Sequence, residues 1–323
     1  MLLNIMNNST HLAGQTAIQM KKYFLISVFP SLFLGACTKS DSSDSLPSDE
    51  IRSDCVQGAS PVKKVLFLGI DGCRTDAMLA AHAPALDTLM AHSIVNFNTD
   101  RGPYTVSCPG WSTLLHGVWP NKHGVTSNDI SNLNYGKYLD IFHYLRLHNP
   151  SYSLATISHW DNFLRLTTEE DYAQPVESDL EVKDKALELL QNCNPDVLLL
   201  HFDDVDETGH SSGFSPSNPE YIQAIQTVGG HIQQLMDAIH QRELTKGEQW
   251  MVVVVTDHGG NGTSHGDQDD LPETRYVFQI VRIPGIPHNE LANARNVDIL
   301  PSIFKYLEIQ PDSTWEWDGL PLF

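Results

Sequence analysis

Three apolar runs that each end in acid constrain this chain more than any other feature. Lys64-Val65-Leu66-Phe67-Leu68-Gly69-Ile70 leads into Asp71-Gly72. Asp196-Val197-Leu198-Leu199-Leu200-His201-Phe202 is again followed by acids. Trp250 to Thr256 contains four consecutive valines and ends in Asp257-His258-Gly259-Gly260. Short continuous apolar runs of this kind read as strands buried on both faces. Ser153 to Ser158 and Tyr276 to Ile283 read as further strands.

Helical patterns fall between them. Thr75 to His92 has helical periodicity, and Ser178 to Gln191 carries acids in its first turn. Pro219 to Gln241 is a long helix weakened in its middle by Gly229-Gly230, and Val297 to Leu307 is the last one. Ser107-Cys108-Pro109 opens another, with Ser107 expected at the N-cap and proline in the first turn. Strands alternating with helices predict an α/β fold: a mostly parallel central sheet flanked by helices on both faces. Such sheets bind ligands beyond the carboxyl ends of their strands, where the three acids fall.

The chain has 323 residues, with 40 acidic against 20 basic ones. That excess repels nucleic-acid backbones and argues against a nucleic-acid partner. No stretch is long and apolar enough for an ordinary membrane span. The beginning of the chain reads as a targeting segment. Lys21 and Lys22 precede an apolar run from Tyr23 to Ala36, which makes Met20 the expected true start. Leu34-Gly35-Ala36-Cys37 is similar to a bacterial lipobox, which implies cleavage before Cys37 and lipid attachment to it. The expected organisation is a signal peptide over 1–36, a lipidated Cys37 with a Ser- and Asp-rich tether over 37–60, and a catalytic domain over 61–323. The expected location is an exported one, attached to a bacterial membrane.

Four patches carry chemistry. They are Asp71 after the first strand; Ser107 at a helix start; Asp206-Glu207-Thr208-Gly209-His210; and Asp257-His258 with His265-Gly266 beyond. Imidazole and carboxylate donors suit zinc, and three protein ligands per ion leave positions open for substrate. Two such ions about 3.5–4 Å apart can clamp both oxygens of an in-line displacement.

In this order the patches resemble the type I phosphodiesterase and nucleotide pyrophosphatase branch of the alkaline-phosphatase superfamily. Ser107-Cys108-Pro109-Gly110-Trp111-Ser112-Thr113-Leu114-Leu115-His116-Gly117 resembles its nucleophile segment. The Asp206-to-His210 pattern and the terminal Asp298-to-Ile303 and Trp317-to-Leu322 segments are similar too. The resemblance implies a three-layer alkaline-phosphatase-like fold and hydrolysis of phosphodiesters or nucleotide pyrophosphates through a phosphoryl-serine on Ser107. It implies one zinc held by Asp71, Asp257 and His258, and another by Asp206, His210 and His265.

The family's asparagine for the phosphoryl oxygens is missing directly after Ser107. Asn128 and Lys122 are the expected substitutes, and Trp111 or Trp160 is expected to offer an aromatic face to substrate. A disulfide between Cys73 and Cys108 is a further expectation. The alternatives are a phosphomonoesterase, a sulfatase, or a non-catalytic binding lipoprotein. Arg74 and Arg101 are the arginines available to a monoesterase. Trp111 stands where a sulfatase has arginine, which counts against that reading.

Overall fold

The computed structural model describes residues 62–131, 134 and 136–323. Cys37 and the expected signal peptide and tether lie outside the described residues. Among the described residues no helix is long and apolar enough to cross a membrane.

The elements follow in chain order: β1 (Lys63–Ile70), α1 (Thr75–Ala81), α2 (Pro84–Ala91), β2 (Ile94–Asp100), α3 (Ser107–His116), α4 (Pro120–His123), α5 (Ile141–His148), β3 (Leu154–Ser158), α6 (Asp161–Leu164) and β4 (Tyr172–Pro175). Then come α7 (Asp179–Asn192), β5 (Val197–Phe202), α8 (Asp204–Ser212), α9 (Pro219–Lys246), β6 (Gln249–Val255), α10 (Pro272–Arg275), β7 (Tyr276–Arg282), β8 (Asn289–Glu290) and α11 (Ile299–Tyr306).

The strands form one sheet in the order β4-β3-β5-β1-β6-β7-β2-β8. Only the pairings of β7 with β6 and with β2 are antiparallel. All others are parallel, as the alternation of strands and helices requires.

Successive side chains on each strand point to opposite faces, so each strand feeds two cores. Leu66, Leu68 and Ile70 of β1 pack with Met78, Leu86, Val182 and the buried stripe of α9. Val65 and Phe67 pack on the other face with Trp111, Phe142, Leu145, Ile303 and Phe304. The result is three layers, helix on sheet on helix. The four valines Val252 to Val255 are wholly buried, each contributing roughly 1.5–3 kcal/mol of transfer free energy.

Several local expectations change. The helical stretch from Thr75 to His92 is two helices, because the chain turns at His82 (φ 47°) and Pro84 starts anew. Ser107 is the first residue of α3, and Val106 occupies the cap position. Gly229-Gly230 does not interrupt α9, which runs on to Lys246. A Cβ at Gly229 would lie 2.6 Å from that of Ala83, so the glycine marks where α9 presses on the α1–α2 turn. The last helix begins with a 3-10 turn over Asn296–Asp298. Cys73 and Cys108 are free and buried, which removes the expected disulfide between them, while Cys193 is disulfide-bonded.

Candidate metal centre and nucleophile

β5, β1 and β6 are neighbours in the sheet and run parallel, so their carboxyl ends share one edge. Asp71 follows β1, Asp257 and His258 follow β6, and α8 carries Asp206 and His210 just beyond β5. His265 arrives on the loop after His258. The ligand atoms of Asp71, Asp257 and His258 lie within 4.8 Å of one another, as do those of Asp206, His210 and His265. The two trios abut where the rings of His258 and His265 stack, with centroids 3.8 Å apart.

Each imidazole is oriented the same way. His258 Nδ1 donates to the Gly259 carbonyl at 2.9 Å, His210 Nδ1 to Thr263 at 3.0 Å, and His265 Nδ1 to Thr105. Carbonyls only accept, so each ring carries a proton on Nδ1 and turns Nε2 inward. The hydrogen bond to Asp206 raises His210 to about 9, so its Nε2 also holds a proton that an ion would displace. In the first trio His258 Nε2 lies 3.4 Å from both Asp71 Oδ1 and Asp257 Oδ2. In the second, the Nε2 atoms of His210 and His265 are 3.0 Å apart, with Asp206 oxygens 3.2 and 3.9 Å away. Asp71 Oδ1, Asp206 Oδ1 and Asp257 Oδ2 are buried without a hydrogen-bond partner. Carboxylates and imidazoles crowded together, with three buried oxygens left without a partner, form an arrangement that a cation completes. The donor set therefore fits two divalent ions.

The electrostatics agree. Burial, then the charges of Asp71 and Asp206, push the Asp257 carboxyl well above its usual range. Burial raises Asp206 as well, although its hydrogen bond with His210 opposes this. Burial and the neighbouring His265 hold His258 well below the usual imidazole value, so it is neutral and free to ligate. Asp71 differs: burial pushes it up, but hydrogen bonds from His201 and Trp111 and the neighbouring His258 outweigh that and bring it to about 2.

Ser107 lies at the first turn of α3 with its Oγ 3.2 Å from His258 Nε2. A Cβ at Gly110 would sit 2.7 Å from Asp257 Cβ, so glycine lets α3 come against the first trio. The Cys108 N–H at the same turn donates to Asn128 Oδ1 at 3.0 Å, which brings exposed Asn128 to the nucleophile's side. One backbone donor of the first turn of α3 is thus taken up by Asn128.

Other expected contacts differ. Trp111 is fully buried and its Nε1 donates to Asp71 Oδ2 at 2.8 Å, so it presents no face to a ligand. Lys122 is held by Asp318 Oδ1 at 2.6 Å and the Glu316 carbonyl at 2.7 Å. Arg74 pairs with Asp76 at 2.6 Å and ties down the carbonyls of Phe214 and Gly260. Arg101 is buried against the Thr274 carbonyl and Asp269. Burial pushes the Cys108 thiol up to about 12, which makes it inert beside Ser107.

Sequence reasoning missed His201, whose Nε2 donates to Asp71 Oδ2 at 3.0 Å from the middle of a buried strand. A lone histidine among leucines was the available signal, since a buried imidazole needs a partner.

The family profile described as type I phosphodiesterase / nucleotide pyrophosphatase matches residues 65–144 and 143–279. An uncharacterized pyrophosphatase/phosphodiesterase of Schizosaccharomyces pombe is 26% identical over 224 residues, covering 62% of this chain and 45% of the relative. The chain thus spans under half the length of that curated relative. Among solved structures, an inactive variant of murine ectonucleotide pyrophosphatase / phosphodiesterase 5 in complex with AMP has a TM-score of 0.60 at 14% identity, covering 77% of this chain and 96% of that one. A 2-O glycosaminoglycan sulfatase gives 0.64 at 15% identity, with 81% and 73% covered. A protein of the alkaline phosphatase superfamily from Vibrio parahaemolyticus gives 0.61 at 13%, with 83% and 71% covered. At such identities the three structures share the fold alone, and the fold is alkaline-phosphatase-like. The profile match spans more than half of the chain, so this protein belongs to the type I phosphodiesterase / nucleotide pyrophosphatase family.

Proposed function

We propose that this protein hydrolyses phosphodiesters or nucleotide pyrophosphates, with Ser107 as nucleophile beside two zinc ions. Asp71, Asp257 and His258 hold one ion, and Asp206, His210 and His265 the other. The observation that carries the reading is the inward set of ligand atoms: three imidazole Nε2 atoms and three partnerless carboxylate oxygens. When bound, the ions supply Lewis acidity to the attacking and leaving oxygens.

The chain's own residues do the rest. Ser107 gives up its hydroxyl proton to solvent, its Oγ forms a bond to phosphorus as the ester P–O bond breaks, and the leaving group departs with that electron pair. Water then cleaves the phosphoryl-serine and restores the hydroxyl. Gly110 keeps α3 close enough for Ser107 to reach the centre. Asn128, fixed by the Cys108 N–H, offers its amide nitrogen to a phosphoryl oxygen. Trp111 and His201 keep Asp71 ionised and aimed.

A diester carries one negative charge on its phosphoryl group and a monoester up to two. Arg74, Arg101 and Lys122 are all committed to other partners. That favours the diester. Trp111, buried on Asp71 where a sulfatase has arginine, disfavours sulfate esters. The segments 1–36 and 37–60 are proposed as signal peptide and lipidated tether, with Cys37 anchoring the catalytic domain 61–323 to a bacterial membrane. A Cys37→Ser variant released from the membrane fraction supports that anchor, and one retained there refutes it.

The deciding experiment compares bis-p-nitrophenyl phosphate, p-nitrophenyl phosphate and p-nitrophenyl sulfate, with zinc or chelator, in wild type and Ser107→Ala. The expected result is chelator-sensitive diester turnover that the variant lacks. Turnover that survives in Ser107→Ala sinks the nucleophile assignment.

A further inference from the structure

His265 is the one buried residue in an otherwise exposed or half-exposed loop over 261–270. The same loop supplies the Thr263 carbonyl that orients His210. Two of the three donors of the second trio therefore depend on one surface segment. A ligand set needs its geometry fixed to a few tenths of an ångström, and an exposed loop does not fix itself.

The loop is fastened at two points to the chain that leads into the nucleophile helix. Thr105 and His265 bond reciprocally: the Thr105 hydroxyl donates to the His265 carbonyl, and His265 Nδ1 donates to the Thr105 carbonyl. Asp269, further along the loop, accepts the Thr105 N–H at 2.7 Å, and the same oxygen lies 3.1 Å from the Thr105 hydroxyl. Arg101 backs this arrangement. Its Nη2 is 3.4 Å from Asp269, and its Nε donates at 2.9 Å to the Thr274 carbonyl, which also receives the Gly259 N–H. Arg101 and Thr105 are both wholly buried, so this brace is part of the interior. Thr105 stands two residues before Ser107, so whatever fixes the loop also fixes the approach to the nucleophile.

We infer that Thr105 and Asp269 are positioning residues that hold the loop 261–270 in ligating geometry, so that they set the affinity of the Asp206–His210–His265 site selectively. The inference rests on the two-ion reading above. Neither residue touches substrate. The hydroxyl of Thr105 acts through His265, and Asp269 acts through Thr105. The Asp71–Asp257–His258 site is held mainly by β1, β6 and the hydrogen bonds from Trp111 and His201, and it meets the loop where His258 stacks on His265, so it depends on the loop less.

The test is zinc titration of the full-length protein, read as ions bound per chain and the affinity of each, beside kcat and KM for a diester. Thr105→Val removes the hydroxyl and keeps the shape. The expected result is one ion at wild-type affinity, the other weakened about tenfold or more, and kcat lowered more than KM changes. Thr105→Ser restores both. Asp269→Asn gives the same pattern and carries the measurement if Thr105→Val does not fold. Two ions at unchanged affinity in both variants overturn the inference. Equal weakening of both ions, together with a lower melting temperature of the metal-free variant, also overturns it, because that is damage to the fold. A wild-type chain that binds no pair of ions removes the two-ion reading and this inference with it.

Discussion

Trp111 and Asp71 are joined across the α3–sheet interface, indole Nε1 to carboxylate Oδ2 at 2.8 Å, with both side chains sealed from water. The indole packs edge-on against Phe67, Phe163 and His201, so its position is dictated by the core. It transmits that rigidity to a proposed metal ligand. Trp111→Phe keeps most of the packing and removes the donor. A hydrogen bond to a charged group is worth about 1.5–3 kcal/mol, so the variant should melt lower. Its zinc affinity at the Asp71 site should fall about 10–100-fold. Calorimetric titration checks this, and unchanged affinity would show that His201 alone suffices.

Gly110→Ala tests how closely α3 must approach Asp257. The new methyl would meet the Asp257 Cβ at 2.7 Å and its carbonyl oxygen at 3.0 Å. Overpacking costs about 1–3 kcal/mol, and a misplacement of this kind can lower turnover about a hundredfold. Activity and a thermal melt on the same sample decide it. Wild-type turnover would mean that Ser107 need not sit against the first trio.

Metal removal should interact with pH in a fixed direction. In the metal-free protein Asp257 and Asp206 have raised pKa values, from burial first and the neighbouring carboxylates second. An acid raised in the folded state is stabilising while protonated and loses that contribution as pH climbs. The contribution of these two carboxylates to the metal-free protein should therefore be smaller at pH 8 than at pH 5, seen as the difference between wild type and Asp257→Asn, and zinc at a fixed concentration should restore more at pH 8. At a hundredfold excess over Kd the gain is about 2.7 kcal/mol per site. Melting curves with and without chelator at the two pH values measure it; a gain larger at pH 5 would contradict the carboxylate cluster.

His159 gives the opposite pH behaviour. Hydrogen bonds to Asp179 and Asp204, opposed by burial, raise it to about 10. A base raised in the folded state stabilises fully below its unfolded value near 6.5 and loses that contribution as pH rises through 10. His159→Gln should cost ~1–2 kcal/mol at pH 6, after discounting for partial solvent access, and almost nothing at pH 10. Equal losses at both pH values would assign His159 a packing role only.

Much of this was legible in the residues. The strands β1, β5 and β6 announce themselves as unbroken apolar runs, and the acids that end them fall together because parallel neighbours share a carboxyl edge. β2 was not legible. It buries Asn96 and Thr99, which satisfy one another through a hydrogen bond at 2.8 Å, so its pattern lacks the apolar alternation that marks a strand. β4 spans four residues at the sheet edge, too short to carry a period. The six proposed ligands stand in patches that the residues show, and their division between two ions is what the family resemblance implies. The residues behind them could not, since Trp111, His201, Thr105 and Asp269 act through contacts between chain positions far apart, and no local pattern records those.

Residues 72 and 257 touch across 185 positions of chain, the Gly72 N–H donating to Asp257 Oδ1 at 3.3 Å. Donors this far apart cannot gather in an unfolded chain, where closing such loops is entropically opposed and nothing yet repays it. The sheet must close before any ion finds three ligands. On the two-ion proposal, loading therefore follows closure of the sheet, into a cradle that tryptophan and histidine have already built. A site filled in this order would accept whichever suitable divalent ion its compartment offers, so the metal in the purified protein would record where it was loaded as much as what its donors prefer.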